Sequence, residues 1–540
     1  MMTKPVQAQE VLLSDADWPA VQKASPVATS HARTAGTDSV PAPFPFLDDF
    51  SYTALRPSSV YWAADSLDDH VPGISTQKGL NVPSKGVCTF DGATFSGRKY
   101  EDELVTGAAD SLVSNFFDLS TKSIADSLYL TFFLQRGGTG EAPESSDSMV
   151  VYFDSTGNYD WTEVWNLQGT GTSEDTFVRA EILLDTAIYF HSAFRFKFVN
   201  FGSLNGEFDQ WHLDYVYFDE GRQQNDFTFS DASPTHFTMS PFFPWTHISR
   251  EQFVQGDYKS EVGTIVRSAG SVSLTANVNL RIDAPDGNNI LSGTTTASGS
   301  TPGLTPFGGS EVVTAAFADQ AANMTRDGNI RLRAITSAGG DTRSENDTLY
   351  AEYSVDSLMG YDDGVSDQAY GLTVARHFCQ EYRLSSPDTL TAVWINFTPT
   401  LHYNSVTNQS TCLDFKSFKL VVWDTLVPDS QLTSVSSGMN VSYDSSLNDF
   451  RRYELLAPVV VDTLFWVGIR QSDDMPLGVG FDRNGPTGKV YFEDGNGDFS
   501  LSSNQGCLMI RPEFGHERVM ASAGESADVD RLRLRLSPNP

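Results

Sequence analysis

Phe194-Arg195-Phe196-Lys197-Phe198-Val199 is the stretch that decides the fold class. Phenylalanine recurs at every second residue, with a cation between. Successive side chains of a β-strand point to opposite faces. The stretch therefore reads as a strand with an aromatic face for a core and a charged face for water. Working outward, Ser127-Leu-Tyr-Leu-Thr-Phe-Phe-Leu134 and Ser148-Met-Val-Val-Tyr-Phe153 precede it as similar apolar runs. Trp211-His-Leu-Asp-Tyr-Val-Tyr-Phe218 follows as a closing strand. Clusters of Gly, Asp, Asn and Ser separate the runs, which recur at about 10–20 residues, the rhythm of a β-sandwich. No long amphipathic helix is legible. The content of 36 Phe, 19 Tyr and 9 Trp suits pleated, half-buried surfaces.

Carried along all 540 residues, the same reading predicts an all-β chain of tandem β-sandwiches, in the order jelly-roll, Ig-like, jelly-roll. Residues 1–43 are polar and rich in Ala, Ser, Thr and Pro, and read as a leader or linker. Residues 44–220 make the first jelly-roll-like sandwich. Residues 221–355, with the Thr/Val/Ala strand Ser271–Leu280 and Gly-rich turns near 298–309, have the size of an Ig-like sandwich. Residues 356–517 make the second jelly-roll-like unit. Residues 518–540 are a charged linker and the start of one more strand, Arg531-Leu-Arg-Leu-Arg-Leu-Ser-Pro-Asn-Pro540.

Charge narrows the partners. There are 69 acidic residues against 36 basic ones, a net of −33. Such a surface repels nucleic-acid phosphates. It attracts cations, Ca²⁺ included, and it also serves plain solubility. Cys88, Cys379, Cys412 and Cys507 form no Cys-x-x-Cys, which excludes a zinc ribbon or a thioredoxin-like site. One disulfide, for instance Cys379 with Cys412, is compatible with the spacing and would leave Cys88 a lone buried thiol. No run of 18 apolar residues offers a membrane-spanning helix. Val6-Gln-Ala-Gln9 has the small-residue texture of a signal-peptide end, but no apolar segment precedes it. An upstream start and a cytoplasmic start are both compatible with that.

Some segments carry a resemblance. Leu534-Arg-Leu-Ser-Pro-Asn-Pro540 resembles the opening of the C-terminal sorting domain used by the type IX secretion system of Bacteroidota. Gly86-Val-Cys-Thr-Phe-Asp-Gly92, Pro241-Phe-Phe-Pro-Trp-Thr-His247, Tyr361-Asp-Asp-Gly364 and Leu508-Met-Ile-Arg-Pro-Glu-Phe-Gly515 resemble segments of the large surface proteins of that group. The resemblance implies export by the type IX machinery and a place outside the cell, secreted or attached to its surface. It implies no enzyme family. O-glycosylation at Asp-Ser/Thr followed by a small or apolar residue fits the same group, and such tripeptides begin at Asp110, Asp126, Asp147 and Asp154 among others. The same pairs are natural turn residues before a strand.

Catalytic motifs are missing. The sequence holds no Gly-x-Ser-x-Gly, no His-Glu-x-x-His and no Gly-x-Gly-x-x-Gly. Glu163 and Glu207 stand near tryptophans, as a glycosidase pair would. Clustered acids beside an open groove, with one carboxyl pKa strongly raised, would favour a hydrolase. For a metal, Asp48 and Asp49 open the first strand of the first sandwich, and Asp209 and Asp214 flank its last strand. The resemblance to jelly rolls, whose first and last strands pair, implies a structural Ca²⁺ site there, drawn from six to eight oxygens. Asp494-Gly-Asn-Gly-Asp498 has the rhythm of a calcium loop, but its flanks read as strands, so a hairpin turn is expected. Tyr159, Trp161 and Trp165 offer a glycan platform if exposed; spaced four apart on one strand, the two tryptophans would share a face and could equally fill the core.

The reading that follows is a non-enzymatic secreted or surface protein that binds glycans or other surface proteins, or serves a structural role. A carbohydrate-active or other hydrolase, and a component of the secretion or gliding apparatus, are the alternatives.

Overall fold

The computed structural model describes residues 10–13 and 41–515, apart from 53, 55, 64–69, 95–98, 102–104, 226–229, 241, 256–260, 270–272, 284–295, 302, 305–308, 317–326, 399–400, 405–408, 413–416, 428–430, 432, 435–438, 442–448, 473, 475 and 484–487. The C-terminal segment Leu534–Pro540 that carries the sorting-domain resemblance lies outside the described residues.

The chain is all-β. The first strand, β1 (Glu10–Leu13), pairs antiparallel with Ala369–Leu372 far along the chain. The first domain follows with β2 (Phe46–Asp48), β3 (Gly73–Ser75), β4 (Val87–Gly92), β5 (Thr106–Val113), β6 (Tyr129–Arg136), β7 (Ser148–Asp154), β8 (Trp161–Gln168), β9 (Val178–Leu183), β10 (Phe196–Ser203) and β11 (Gly206–Asp219). One sheet runs β3-β4-β11-β6-β9, with β2 also on β11; the other runs β5-β10-β7-β8. The aromatic half of the alternation at 194–199 holds: Phe194, Phe196 and Phe198 are fully buried between the sheets, among Phe46, Phe132 and Trp211, while of the two cations Lys197 is half-buried and Arg195 is buried rather than facing water. Fully burying each of these rings is worth about 2–3 kcal/mol. First and last strands pair, with Val216 opposite Asp48. β11 bends twice, with positive φ at Asp209 (54°) and Tyr215 (47°) and register shifts between Gly206 and Trp211 and between Asp214 and Tyr217.

The second domain holds β12 (Ala232–Met239), β13 (His247–Ser249), α1 (Arg250–Gln255), β14 (Glu261–Ser268), β15 (Ala276–Asp283), β16 (Thr296–Ser300), β17 (Ser310–Ala316), β18 (Gly328–Ala338) and β19 (Thr348–Asp356). Its sheets run β12-β14-β17 and β13-β19-β18-β15-β16. The third domain opens with β20 (Gln368–Leu372), β21 (His377–Arg383) and β22 (Asp388–Ile395) and closes with Ile510–Phe514, which pairs β22. No described helix is long and apolar enough to cross a membrane.

The core of the second domain runs without a break into that of the third. At the seam, the Trp245 ring stacks on Tyr361 with centroids 4.2 Å apart. Arg511 holds the carboxylate of Asp362 through Nε (3.1 Å) and Nη2, and its Nη1 lies 3.0 Å from Nε2 of His247. Burial and the neighbouring Arg511 push His247 down to about 4, so its neutral ring accepts from Arg511. Residues of three of the four segments that carry the surface-protein resemblance, Trp245 and His247, Tyr361 and Asp362, and Arg511, thus meet at the seam between the second and third domains.

Two smaller expectations resolve here. Cys379 is a free, fully buried thiol packed against Trp423 and Trp466, not half of a disulfide with Cys412; Cys88 and Cys507 are free and buried too. Asp494-Gly-Asn-Gly-Asp498 is a hairpin turn: Asp494 N donates to Asp498 O (2.7 Å), its Oδ1 accepts from Asn496 N (2.8 Å), and Gly497 takes φ 86°.

Candidate functional site on the outer face of the first domain

β8 is the edge strand of its sheet, and one residue in it decides what its aromatic side chains do. Opposite β7, Trp165 pairs with Val151 but Glu163 pairs with Tyr152, so Val164 is an extra residue, a β-bulge. A one-residue shift moves all later side chains to the other face. Trp161 and Trp165 therefore do not share a face, against the expectation from their spacing. Trp165 turns inward onto Phe132, with ring centroids 5.1 Å apart at 90°. Trp161, opposite Asp154, lies on the outer face with Tyr152 and Lys197.

On that face cations sit between rings. Lys197 Nζ lies 4.6 Å from the Trp161 ring and 4.8 Å from that of Tyr152. The Arg195 guanidinium lies 4.8 Å from the Tyr159 ring and 5.6 Å from that of Phe116. Each contact is worth about 0.5–1 kcal/mol where solvent reaches it. Tyr159 stands edge-on to Trp161, 6.1 Å away. The turn that presents it is built by Asp154, which accepts from the N–H groups of Thr156 (3.1 Å), Gly157 (2.9 Å) and Tyr159 (2.9 Å), and it sets Tyr159 at φ 64°. Tyr152, Tyr159 and Trp161 are half-buried. Burial, then the Glu163 carboxylate, push the Tyr152 hydroxyl above its usual range. Rings fixed in this way are suited to stack on the apolar face of a sugar.

The four candidate metal ligands do not come together as one cage. Asp48, Asp49 and Asp214 meet where β2 joins β11, each engaged by protein donors. Asp48 accepts from Trp62 Nε1 (2.7 Å) and Phe50 N (3.0 Å), and burial raises it to about 6. Asp49 pairs with Arg343 (3.2 Å) and Asn346 Nδ2 (2.7 Å) of the second domain. Asp214 accepts from Ser84 N (3.0 Å) and Tyr215 N (2.6 Å). Sequence reading missed the group that completes this knot. Asp231 is fully buried and accepts from Tyr215 Oη and from Asn346 Nδ2 (2.7 Å). Its Oδ1 and that of Asn346 are buried without a partner.

Asp209 faces the opposite way. The positive φ at this residue turns its carboxylate to Glu144 and Asp147, and the ligating oxygens of the three lie within 4.8 Å of one another. Glu144 is exposed; Asp147 and Asp209 are buried. Burial, then the hydrogen bond to Glu144 and the charges of Asp147 and Glu144, lift Asp209 to about 8 against a 2.6 Å hydrogen bond from Ser203 N. The only hint in sequence was the acidic content of 141–147. This cluster sits where Ser148 pairs with Gln168, at the far end of the β7–β8 hairpin from Trp161, roughly 20 Å along the strands at about 3.3 Å per residue. Glu163 and Glu207 lie on different sheets, and Glu207 is paired with Lys78.

No protein-family profile matches the chain, and no curated protein matches it. Solved structures match loosely. The glycoside hydrolase domain of Endo-D from Streptococcus pneumoniae R6 superposes with a TM-score of 0.19 at 13% identity, over 55% of this chain and 38% of its own. A Bacteroides uniformis beta-glucuronidase gives 0.21 at 10% identity, over 51% and 29%. The Lactobacillus rhamnosus beta-glucuronidase gives 0.19 at 12%, over 47% and 36%. The chain spans well under two thirds of each of these proteins, and superposition this loose carries no inference about activity.

Proposed function

We propose that the chain is a non-catalytic binding protein of the cell exterior, exported by the type IX route, and that its first domain contacts glycans through Tyr152, Tyr159 and Trp161. The observation that carries the binding part is the half-buried row of rings on the outer sheet face, interleaved with Lys197 and Arg195. The route of export and the cell-surface location rest on the sequence resemblance alone.

Calcium enters this reading as a structural ion at Glu144, Asp147 and Asp209. Three carboxylates so close cannot all be charged without a counter-ion or a proton, and a hard cation takes such oxygens. A melt with and without millimolar Ca²⁺ tests this: the melting temperature rises for the native chain and not for Asp209→Asn. No rise in the native chain removes calcium from the account.

The raised Asp209 beside Glu144 is the one observation that favours the hydrolase alternative. Its distance from the aromatic row speaks against a cleavage site for a sugar stacked there. Binding of a glycan panel, read by calorimetry, with product analysis after long incubation, separates the two. Binding without turnover supports the proposal, and turnover lost in Asp209→Asn supports the hydrolase.

A further inference from the structure

One cation on the ring-bearing face of the first domain has no acid to answer it. Arg195 is only 5% exposed. Its guanidinium lies between the half-buried rings of Tyr159 and Phe116. Nη1 reaches the Ala193 carbonyl at 3.4 Å, a long hydrogen bond, and Nε is buried without a partner. Among the described residues no carboxylate pairs with it. Asp154, the buried acid of the neighbouring turn, is taken up by the N–H groups of Thr156, Gly157 and Tyr159. Arg136 and Arg511, buried to about the same degree, hold Glu174 and Asp362. A charge taken out of water without a partner is costly, so this one calls for an anion from outside the chain.

We infer, resting on the glycan-binding reading above, that the bound sugar is acidic and that Arg195 receives the carboxylate of one uronic acid. The fork of a guanidinium meets a carboxylate with two parallel N–H groups. In a hexuronic acid the carboxylate leaves the edge of the sugar ring, while the apolar face stays free to stack on an aromatic side chain. The ring centres of Trp161 and Tyr159 are 6.1 Å apart, so a sugar lying on Trp161 extends its carboxylate toward the Tyr159 end of the row, where Arg195 sits. Asp160 and Glu163 stand exposed beside the row, and the chain as a whole carries −33. General attraction for polyanions is therefore absent, and what remains is one placed carboxylate. A neutral sugar would leave the guanidinium as it is, buried and unanswered.

Calorimetry on the full chain tests this with matched pairs: trisaccharides that end in one glucuronic or one galacturonic acid, each beside its methyl ester, which removes the charge and keeps the ring. At least one acid should bind the native chain about tenfold or more tighter than its ester. Arg195→Met keeps an apolar stem between the rings and should bring acid and ester within about twofold of each other. Arg195→Lys, which retains a charge, should keep part of the preference, and Lys197→Met should keep it. The acid–ester comparison in the native chain stands whether or not the variants fold. Equal affinity for acid and ester in the native chain, a preference that survives in Arg195→Met, or one lost only in Lys197→Met, overturns the inference and leaves the glycan reading standing. Binding of neutral glycans alone does the same. No binding of any acid, ester or neutral glycan removes the glycan reading itself.

Discussion

Asp231 shows how much one buried carboxyl sets. It touches Tyr215 of the first domain and Asn346 of the second. Asp49 and Asp341 face it as carboxylates, and Arg343 pairs with Asp49 nearby. Burial is the largest cause that lifts Asp231 to about 8. An acid whose folded pKa lies above its unfolded value stabilises the fold fully at low pH and loses that contribution as pH rises through the folded value. Asp48, raised to about 6, and Asp110 and Asp209, raised to about 8, act in the same direction. Glu493 and Glu513, both lowered, act oppositely below their unfolded values, and His212, His236 and His247, lowered to about 4 by burial, act oppositely up to about pH 6.5. The melting temperature should therefore fall by several degrees between about pH 6.5 and pH 8, where the raised acids alone titrate, the reverse of common behaviour. Asp231→Asn keeps an accepting oxygen and removes the titration, so it should flatten part of that slope. A melting temperature that rises across the window contradicts this assignment.

At the same scale the two tryptophans of β8 should part company. Trp165→Ala removes a ring packed on Phe132 and should cost about 2–4 kcal/mol by denaturant unfolding. Trp161→Ala, on the outer face, should change stability by less than about 1 kcal/mol. Equal losses would mean that the bulge does not separate them.

Elements were legible wherever side-chain period alone fixed them. The alternation at 194–199 assigned β10 and its inner face correctly, because burial of three phenylalanines leaves one register open. The bulge at Val164 was not legible. A single extra residue leaves no trace in composition, yet it reverses the face of everything before it. Asp209 was misplaced for a similar reason: the positive φ turns one side chain out of a strand that otherwise brings Asp48, Asp49 and Asp214 together. Glycine explains one motif at this scale. A Cβ on Gly86 would stand 2.2 Å from the Phe50 carbonyl oxygen, so the opening of Gly86–Gly92 is a close backbone crossing. Gly86→Ala should destabilise by about 3 kcal/mol, and an unchanged unfolding midpoint would exclude this reason for the glycine.

At the scale of the molecule, the sequence divided the chain into three sandwiches but could not say that they hold one another. Contacts between domains join residues more than a hundred positions apart, which no local pattern records. Thr139 Oγ1 donates to Asp367 (2.8 Å) and Arg483 Nη1 to Thr139 O (2.6 Å), tying the first domain to the third. Asp49, Arg343 and Asn346 tie the first to the second. Arg511, held by Asp362 within the third domain, reaches Nε2 of His247 in the second (3.0 Å). Asp362 is fully buried, so Arg511→Ala would leave its charge uncompensated, a loss of about 3–5 kcal/mol. Calorimetry should show it as a lower first transition, with the second and third domains melting apart from the first. A single, unshifted transition would mean that Arg511 does not stabilise this seam.

The central claim is that the outer face of β7, β8 and β10 binds sugar. Calorimetric titration of a glycan panel into the native chain and into Trp161→Ala tests it most directly. The account predicts saturable binding of at least one glycan by the native chain and at least a tenfold weaker affinity in Trp161→Ala, with both chains melting at the same temperature. No binding to the native chain, or equal affinity in the variant, would contradict it.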